Sequence, residues 1–413
     1  MKKLICILIS LSLLLSLLAG CGLGEQGPDS GSHSGQSDIG AGTTAGTTAG
    51  TAAGTLGTGE QTVVMTRGES SGEASTASSP ELPGTNPPPQ SLEPQTSAPQ
   101  SSEDTTALTA LPMQGNIETV NGVLTVDAWA MEYCYTSTSG LQSYADKINS
   151  LKSYLPNVNF FAMFIPTAIA FYCPEGINGG SDQRAAMESW YGMMPGVAGV
   201  DTFSALDQHK QEYLYFRTDT HWTQRGGYYA YTAFCDAAGF APHSIGEYEY
   251  ASSTGYLGYM YTILKDTGVG TAMNSNPDTV EKFKPVSDLT AVSYSDPSMS
   301  GSGMEIPLVS MSSGSYYAFT QGDQPLIHIK NSSVSNGRIA IITKDSYGNT
   351  VVPFISDCFE EVYVIDQRHF NTDSTYSLNI VSFAQTHGVT DIIVEANAFN
   401  ASNSASTFGK MLP

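Results

Sequence analysis

From about residue 115 onward, apolar positions follow two alternating rhythms. Residues 140–155 carry Leu141, Tyr144, Ala145, Ile148, Leu151 and Leu155 at the three- and four-residue spacing of one helix face, and Pro156 stops the pattern. Residues 158–165 follow as an unbroken apolar run closed by Pro166, the mark of a strand buried on both faces. The same alternation returns as strand 213–216 and helix 223–238, then strand 338–343, helix 350–359, strand 361–365, helix 376–386 and strand 391–395. Short β-rich runs alternating with helices predict an α/β domain, a parallel sheet covered by helices on both faces. Between 248 and 335 the pattern weakens into Ser, Gly and Asp, which reads as an insertion of irregular and β structure lying across the edge of the functional site.

The N-terminal part follows neither rhythm. Met1-Lys2-Lys3, an apolar run to Leu18 and then Leu18-Ala19-Gly20-Cys21 form a charged start, a short apolar core and small residues before a cysteine. That is the pattern of a processed secretion signal, too short for a bilayer span of ~20 residues. It resembles a bacterial lipobox, which implies cleavage before Cys21, a lipid on that sulfur and an extracytoplasmic, membrane-anchored protein. Segment 22–112 is Gly, Ser, Thr, Pro and Gln with almost no aromatic residue, so it cannot bury enough apolar surface to offset its ordering entropy. It is expected to be a disordered tether with a reach of about 50 Å. The chain is thereby divided into 1–21, 22–112 and a folded region 113–413, long enough for one large α/β domain or two small ones.

Charge narrows the possible partners. A formal net charge of −22 with only 17 Lys plus Arg leaves no clustered cations to neutralise phosphates, which excludes nucleic acid as an expected partner. Of 6 cysteines, Cys6 falls in the signal and Cys21 takes the lipid, leaving Cys134, Cys173, Cys235 and Cys358, whose pairing as disulfides or persistence as buried thiols stays open.

Reactive groups in an open α/β sheet gather where strands end at their carboxyl edge. Two segments sit at such predicted junctions: Arg217-Thr218-Asp219-Thr220-His221-Trp222-Thr223 and Lys344-Asp345-Ser346-Tyr347-Gly348-Asn349. A serine hydroxyl becomes a nucleophile when an imidazole takes its proton, and a carboxylate holds that imidazole in the right tautomer. Asp219 and His221 could make the orienting hydrogen bond, with Ser346 as nucleophile, backbone N–H groups at the following helix start as oxyanion donors, and Gly348 giving substrate close approach. Competing readings are Asp219 as a helix N-cap, His221 as a satisfied buried histidine and Asp345-Ser346 as an ordinary turn. A metal site from Asp219, His221 and His209 or His243 lacks a supporting ligand spacing, so neither metal nor soluble cofactor is expected.

The two segments, with Gly226-Gly227-Tyr228-Tyr229-Ala230-Tyr231 and Ile365-Asp366-Gln367-Arg368, resemble the DHHW protein family, itself similar to SGNH-hydrolase-like periplasmic proteins of alginate O-acetylation. The resemblance spans about 126–397 and implies an SGNH-like fold with Asp219, His221 and Ser346 as the triad. That chain order, with the serine last, implies the acetyltransferase-like branch. It further implies Arg368 as a substrate or oxyanion helper, or else an ion-pair partner, and Tyr347 and Asn349 as pocket-shaping neighbours. Two positions depart from the family pattern: Thr220 replaces the motif's first histidine, and Lys344 stands where relatives have glycine. Trp222 is expected to pack beside the triad, with stacking on a sugar as the alternative. The function so implied is O-acetylation of an envelope polysaccharide, with esterase and non-catalytic glycan-binding scaffold as alternatives. A transferase would draw its acyl group from a membrane-bound O-acyltransferase partner.

Overall fold

The computed structural model describes residues 113–370 and 377–413, so the signal, the lipobox cysteine and the tether lie outside the described residues. An eight-stranded sheet forms the centre, in the order 198–200, 159–165, 391–397, 339–344, 361–366, 326–331, 289–294, 304–305. Its first five strands are parallel, and the last three join antiparallel. This is the expected α/β architecture, with a mixed, mostly parallel sheet.

Strand Asp391–Asn397 is buried at every position, and Ile339–Lys344 at all but its first. Runs of this kind leave no polar face and must therefore be covered twice. Strand Asn159–Ile165 shows how that is done. Phe161 sets its ring 5.3 Å from Phe234 of helix Gln224–Ala238, whereas Phe164, on the opposite face by the two-residue strand period, lies 6.2 Å from Trp190 of helix Gln183–Gly192. Helix Thr138–Tyr154 packs with the Trp190 layer; Ser137 caps it, and it buries Leu141, Tyr144, Ala145, Ile148 and Leu151, the stripe read from sequence.

Three expectations are corrected. Segment 213–216 is not a sheet strand: its residues are all buried, but only Tyr215 pairs, as an isolated bridge to Trp222. Leu214 and Tyr215 join the main core while Tyr213 and Phe216 join a separate cluster with Val280 and Phe319. An apolar run records burial, and here the burial comes from wedging between two cores. Stretch 248–335 is more than an insertion, because 289–294, 304–305 and 326–331 extend the main sheet. Their edge position leaves strand Leu289–Tyr294 only alternately buried, which weakened the apolar signal. Last, the helix expected at 350–359 spans Gly348–Ile355 and continues as a 3₁₀ turn, Ser356–Cys358, and the one expected at 376–386 is described as Ile380–Thr386 with Asn379 as its cap. The sequence reading also missed an N-terminal antiparallel meander, Ile117–Val120, Val123–Val126 and Trp129–Glu132.

Candidate functional site

The site forms at the carboxyl edge of the parallel strands. Strand Ile339–Lys344 ends in Asp345 and Ser346, and the following helix Gly348–Ile355 turns the chain back. Asp345 is almost fully buried and anchors this turn. Its carboxylate accepts from the Tyr347 N–H (2.9 Å), the Asn397 N–H (2.8 Å) and the Asn400 side chain (2.8 Å), while its own N–H donates to Glu395 (2.9 Å). The nucleophile candidate is thus fixed to the neighbouring strand Asp391–Asn397 through one aspartate.

The Asp219–His221 turn arrives from the other side. Thr223 caps helix Gln224–Ala238 by accepting from the Gly226 N–H, so Asp219 is not the cap and its carboxylate is left for another task. The Tyr215 hydroxyl donates to the Pro166 carbonyl (2.6 Å), tying the segment to the end of strand Asn159–Ile165. Buried Asp278 accepts from the Tyr213 hydroxyl, the Arg217 and Thr218 backbone N–H groups, the Arg217 side chain and the Thr218 hydroxyl (2.5–3.1 Å).

These two loops, 125 residues apart, meet. His221 Nδ1 lies 2.6 Å from Asp219 Oδ1, and His221 Nε2 lies 2.8 Å from Ser346 Oγ. Asp219 is buried, while His221 keeps 14% of its side chain exposed and Ser346 is half-buried. Burial alone would raise the Asp219 carboxyl, but the His221 charge and hydrogen bond, helped by the Tyr259 and His221 N–H groups, hold it well below the usual carboxylate range. It is therefore a fixed anion. With Nδ1 donating to it, Nε2 is left as the lone-pair face toward the serine.

Residues without a sequence signal complete the frame. The Tyr256 hydroxyl and the Tyr259 N–H donate to Asp219 Oδ2, both at 2.8 Å. Gly258 packs against that carboxylate so closely that a Cβ there would fall 2.1 Å from Oδ2. Tyr316 stacks on the His221 ring at 4.0 Å and donates its hydroxyl to the Ser346 carbonyl at 2.7 Å, thereby touching base and nucleophile segment together. Thr220 donates its hydroxyl to Glu132 of the N-terminal meander, whose carboxyl burial lifts above its ordinary value.

Trp222 is fully buried and donates Nε1–H to the Tyr347 carbonyl (2.9 Å), so it packs and cannot stack on a sugar. Tyr347 is also buried, its hydroxyl donating to the Thr220 carbonyl, and it joins the two loops from behind. The N–H groups expected to serve an oxyanion are already engaged: Tyr347 and Gly348 donate to Asp345, and Asn349 to the Ser346 carbonyl (3.3 Å). Gly348 faces inward, where a Cβ would lie 2.7 Å from Lys344 Cβ, so it makes room for Lys344 and not for substrate.

Arg368 is an ion-pair residue, bonded to Asp366 (2.9 and 2.5 Å) and Asp323 (2.7 Å). Buried Lys344 reaches the same two carboxylates at 3.3 and 3.5 Å, and Asn349 donates to Asp323 at 2.9 Å. Lys344 thus sits in a cluster of two cations and two anions beside the serine. Although burial raises the Asp323 carboxyl, Lys344 and Arg368 bring it below its usual range. His209 pairs with Glu212 and His243 with Glu247, away from Asp219.

A family model for DHHW proteins matches residues 93–365. The chain belongs to the DHHW family. A DHHW family protein from Eubacterium siraeum shares 31% identity, with a TM-score of 0.65 over 73% of this chain and 99% of that one. Bacillus cereus PatB1 with a sulfonyl adduct is 17% identical, with a TM-score of 0.56 over 69% of this chain and 99% of PatB1, a likeness in fold. The O-acetyltransferase domain of Pseudomonas putida AlgJ, 11% identical over 70% of this chain and 93% of that one, gives a TM-score of 0.38, too remote to support a reading. No curated protein matches the sequence. This DHHW protein therefore has the mixed, mostly parallel α/β fold that its sequence pattern predicted, and shares that fold with PatB1.

Proposed function

We propose that this DHHW protein is an O-acyl transferase that moves an acetyl group onto a hydroxyl of an envelope polysaccharide through an acyl-Ser346 intermediate. The observation that carries the reading is the continuous path Asp219–His221–Ser346, with contacts of 2.6 and 2.8 Å at a strand-end site where His221 and Ser346 are partly exposed. Ser346 attacks the carbonyl carbon of an acetyl ester while His221 Nε2 takes the hydroxyl proton. The anionic Asp219 stabilises the imidazolium, which then protonates the departing alcohol. In the second half a sugar hydroxyl gives its proton to His221 and attacks the acyl carbon, restoring Ser346. Water in place of the sugar would give acetate. Tyr316, stacked on the imidazole and bonded to the Ser346 carbonyl, supports the alignment on which both halves depend.

On this reading the chemistry takes place outside the cytoplasm, on a protein held by a lipid at Cys21, a setting that the N-terminal pattern supports. The donor there would be an acyl group handed across the membrane by a membrane-bound O-acyltransferase, because acetyl-CoA is confined to the cytoplasm.

The test uses an activated acetyl ester with candidate glycans, scored for acetylated sugar against free acetate. Ser346→Ala should fold normally and lose turnover by about 10³-fold or more. Because PatB1 is known with a sulfonyl adduct, a sulfonyl fluoride should label Ser346 here and leave Ser346→Ala unlabelled. Turnover surviving in Ser346→Ala would end the enzymatic reading, and free acetate as sole product with every glycan would end the transferase one.

A further inference from the structure

The two helices that begin at the site run away from it side by side, in register. Gly227 of helix Gln224–Ala238 lies against Thr350 of helix Gly348–Ile355, so tightly that a Cβ would meet Thr350 Oγ1 at 2.9 Å. Four residues on, Tyr231 stacks on Phe354 at 5.7 Å and 24°. Four residues further, Cys235 Sγ lies 3.9 Å from Cys358 Sγ, both residues buried. The three contacts follow one another along helix Gln224–Ala238 and along helix Gly348–Ile355 with its 3₁₀ extension Ser356–Cys358, and so mark one continuous seam. Its far rung is a pair of thiols. Elsewhere among the described residues, Cys134 is a buried free thiol and Cys173 donates to the Ile177 carbonyl at 3.4 Å.

We infer that Cys235 and Cys358 are a disulfide-forming pair that staples the far ends of the two helical segments that follow the base His221 and the nucleophile Ser346. Closing 3.9 Å to the ~2.05 Å of a bond takes about 2 Å of sulfur movement, within reach of side-chain rotation at a helix end. The oxidant is a disulfide, either a small molecule or an exported thiol oxidoreductase. One cysteine thiolate attacks it, forming a mixed disulfide and releasing one thiol; the second thiolate displaces the other half. Two protons and two electrons leave with the oxidant's two thiols. In the closed seam the contact with Cys235, together with burial, pushes the Cys358 thiol far up, so exchange belongs to folding, before the seam is sealed. The bond would close a loop across 123 residues of separation, a long loop whose removal from the unfolded ensemble stabilises the fold. It also suits the oxidising compartment that the N-terminal signal implies.

The experiment refolds the full chain from reduced denaturant, once in a mixture of oxidised and reduced glutathione and once in dithiothreitol. Alkylation, digestion and mass analysis then follow. The expected result is a peptide pair joining Cys235 to Cys358, 2 Da below the sum of the thiol forms, absent with dithiothreitol and absent in Cys235→Ser and Cys358→Ser. The oxidised protein should have a urea midpoint higher by about 1 M, and its turnover of an activated acetyl ester should agree with the reduced protein within about twofold. Alkylation of both cysteines after oxidative refolding, or their linkage to Cys134 or Cys173, would overturn the pairing. A cross-link with no gain in midpoint would overturn the staple. The wild-type peptide map decides the pairing even if a serine variant fails to fold.

Discussion

Gly258→Ala tests whether the Asp219 carboxylate must sit where it does. Gly258 has φ −91° and ψ −158°, extended backbone open to any L-residue, so the substitution brings no conformational penalty there. What it brings is a methyl group 2.1 Å from Asp219 Oδ2, 2.4 Å from its Cβ and 2.6 Å from its Cγ. Ordinary carbon–oxygen contact is about 3.5 Å, so atoms must move apart by roughly 1.4 Å, and the carboxylate is the nearest obstacle. Displacement breaks its line to His221 and its bonds from Tyr256 and Tyr259. Misplacement on this scale costs about 10²-fold, and loss of the acid's orienting role up to about 10⁴-fold. We expect kcat/KM for an activated acetyl ester to fall by about 10²- to 10³-fold, or about 2.7–4 kcal/mol of transition-state stabilisation. Stability should fall by about 1–3 kcal/mol in urea unfolding. Gly268→Ala, where a Cβ meets nothing within 4 Å, is the control and should match the parent. Parental kcat/KM in folded Gly258→Ala would refute the role assigned to Asp219.

Tyr316→Phe keeps the ring on His221 and removes the hydroxyl that holds the Ser346 carbonyl; kcat should fall about 3- to 10-fold with KM unchanged, and an equal fall in Tyr316→Ala would show that the stack contributes nothing. Asp278→Ala strands the donors of Tyr213, Arg217 and Thr218, so urea unfolding should show a loss of about 3 kcal/mol or more, with Asp278→Asn intermediate. Glu395 is buried beside Asp345, and burial with the Asp345 charge raises its carboxyl well above the ordinary value. The fold therefore binds this proton more tightly than the unfolded chain, and stability is lost as pH rises from about 4.3 through the folded value. Glu395→Gln removes that loss: its stability relative to the parent should grow with pH above about 4.3 and be level below it, and parallel curves would refute the assignment.

Within the described residues, the parallel core of the fold was legible because buried strands must be apolar throughout and helices must carry a stripe, as 158–165 and 140–155 do. The edge strands were not, because one-sided burial leaves Leu289–Tyr294 half polar. In the candidate site, the motif residues were visible through their types and spacing, yet their neighbours were not. Tyr256, Gly258, Asp278, Tyr316 and Asp323 lie in the stretch of weakest pattern, and nothing in a tyrosine or a glycine announces which carboxylate it will meet. Arg368 takes the ion-pair role offered as one of its two readings, whereas Gly348 was visible but misassigned, since a residue type fixes what bonds it can make and not which partner arrives first.

By itself, the sequence determined the alternation of buried strands and amphipathic helices, the acidic balance, and the presence of a carboxylate, an imidazole and a hydroxyl at loop positions, all local consequences of side-chain chemistry. Only the tertiary structure decided that Ser346 reaches His221 across 125 residues, that the Tyr347 and Gly348 N–H groups turn in upon Asp345, and that Lys344 and Arg368 face Asp323 and Asp366. The reason is geometric. Hydrogen bonds and ion pairs act over about 3 Å, whereas the chain that supplies the partners is hundreds of residues long, and only the packing of sheet against helices brings those distances together.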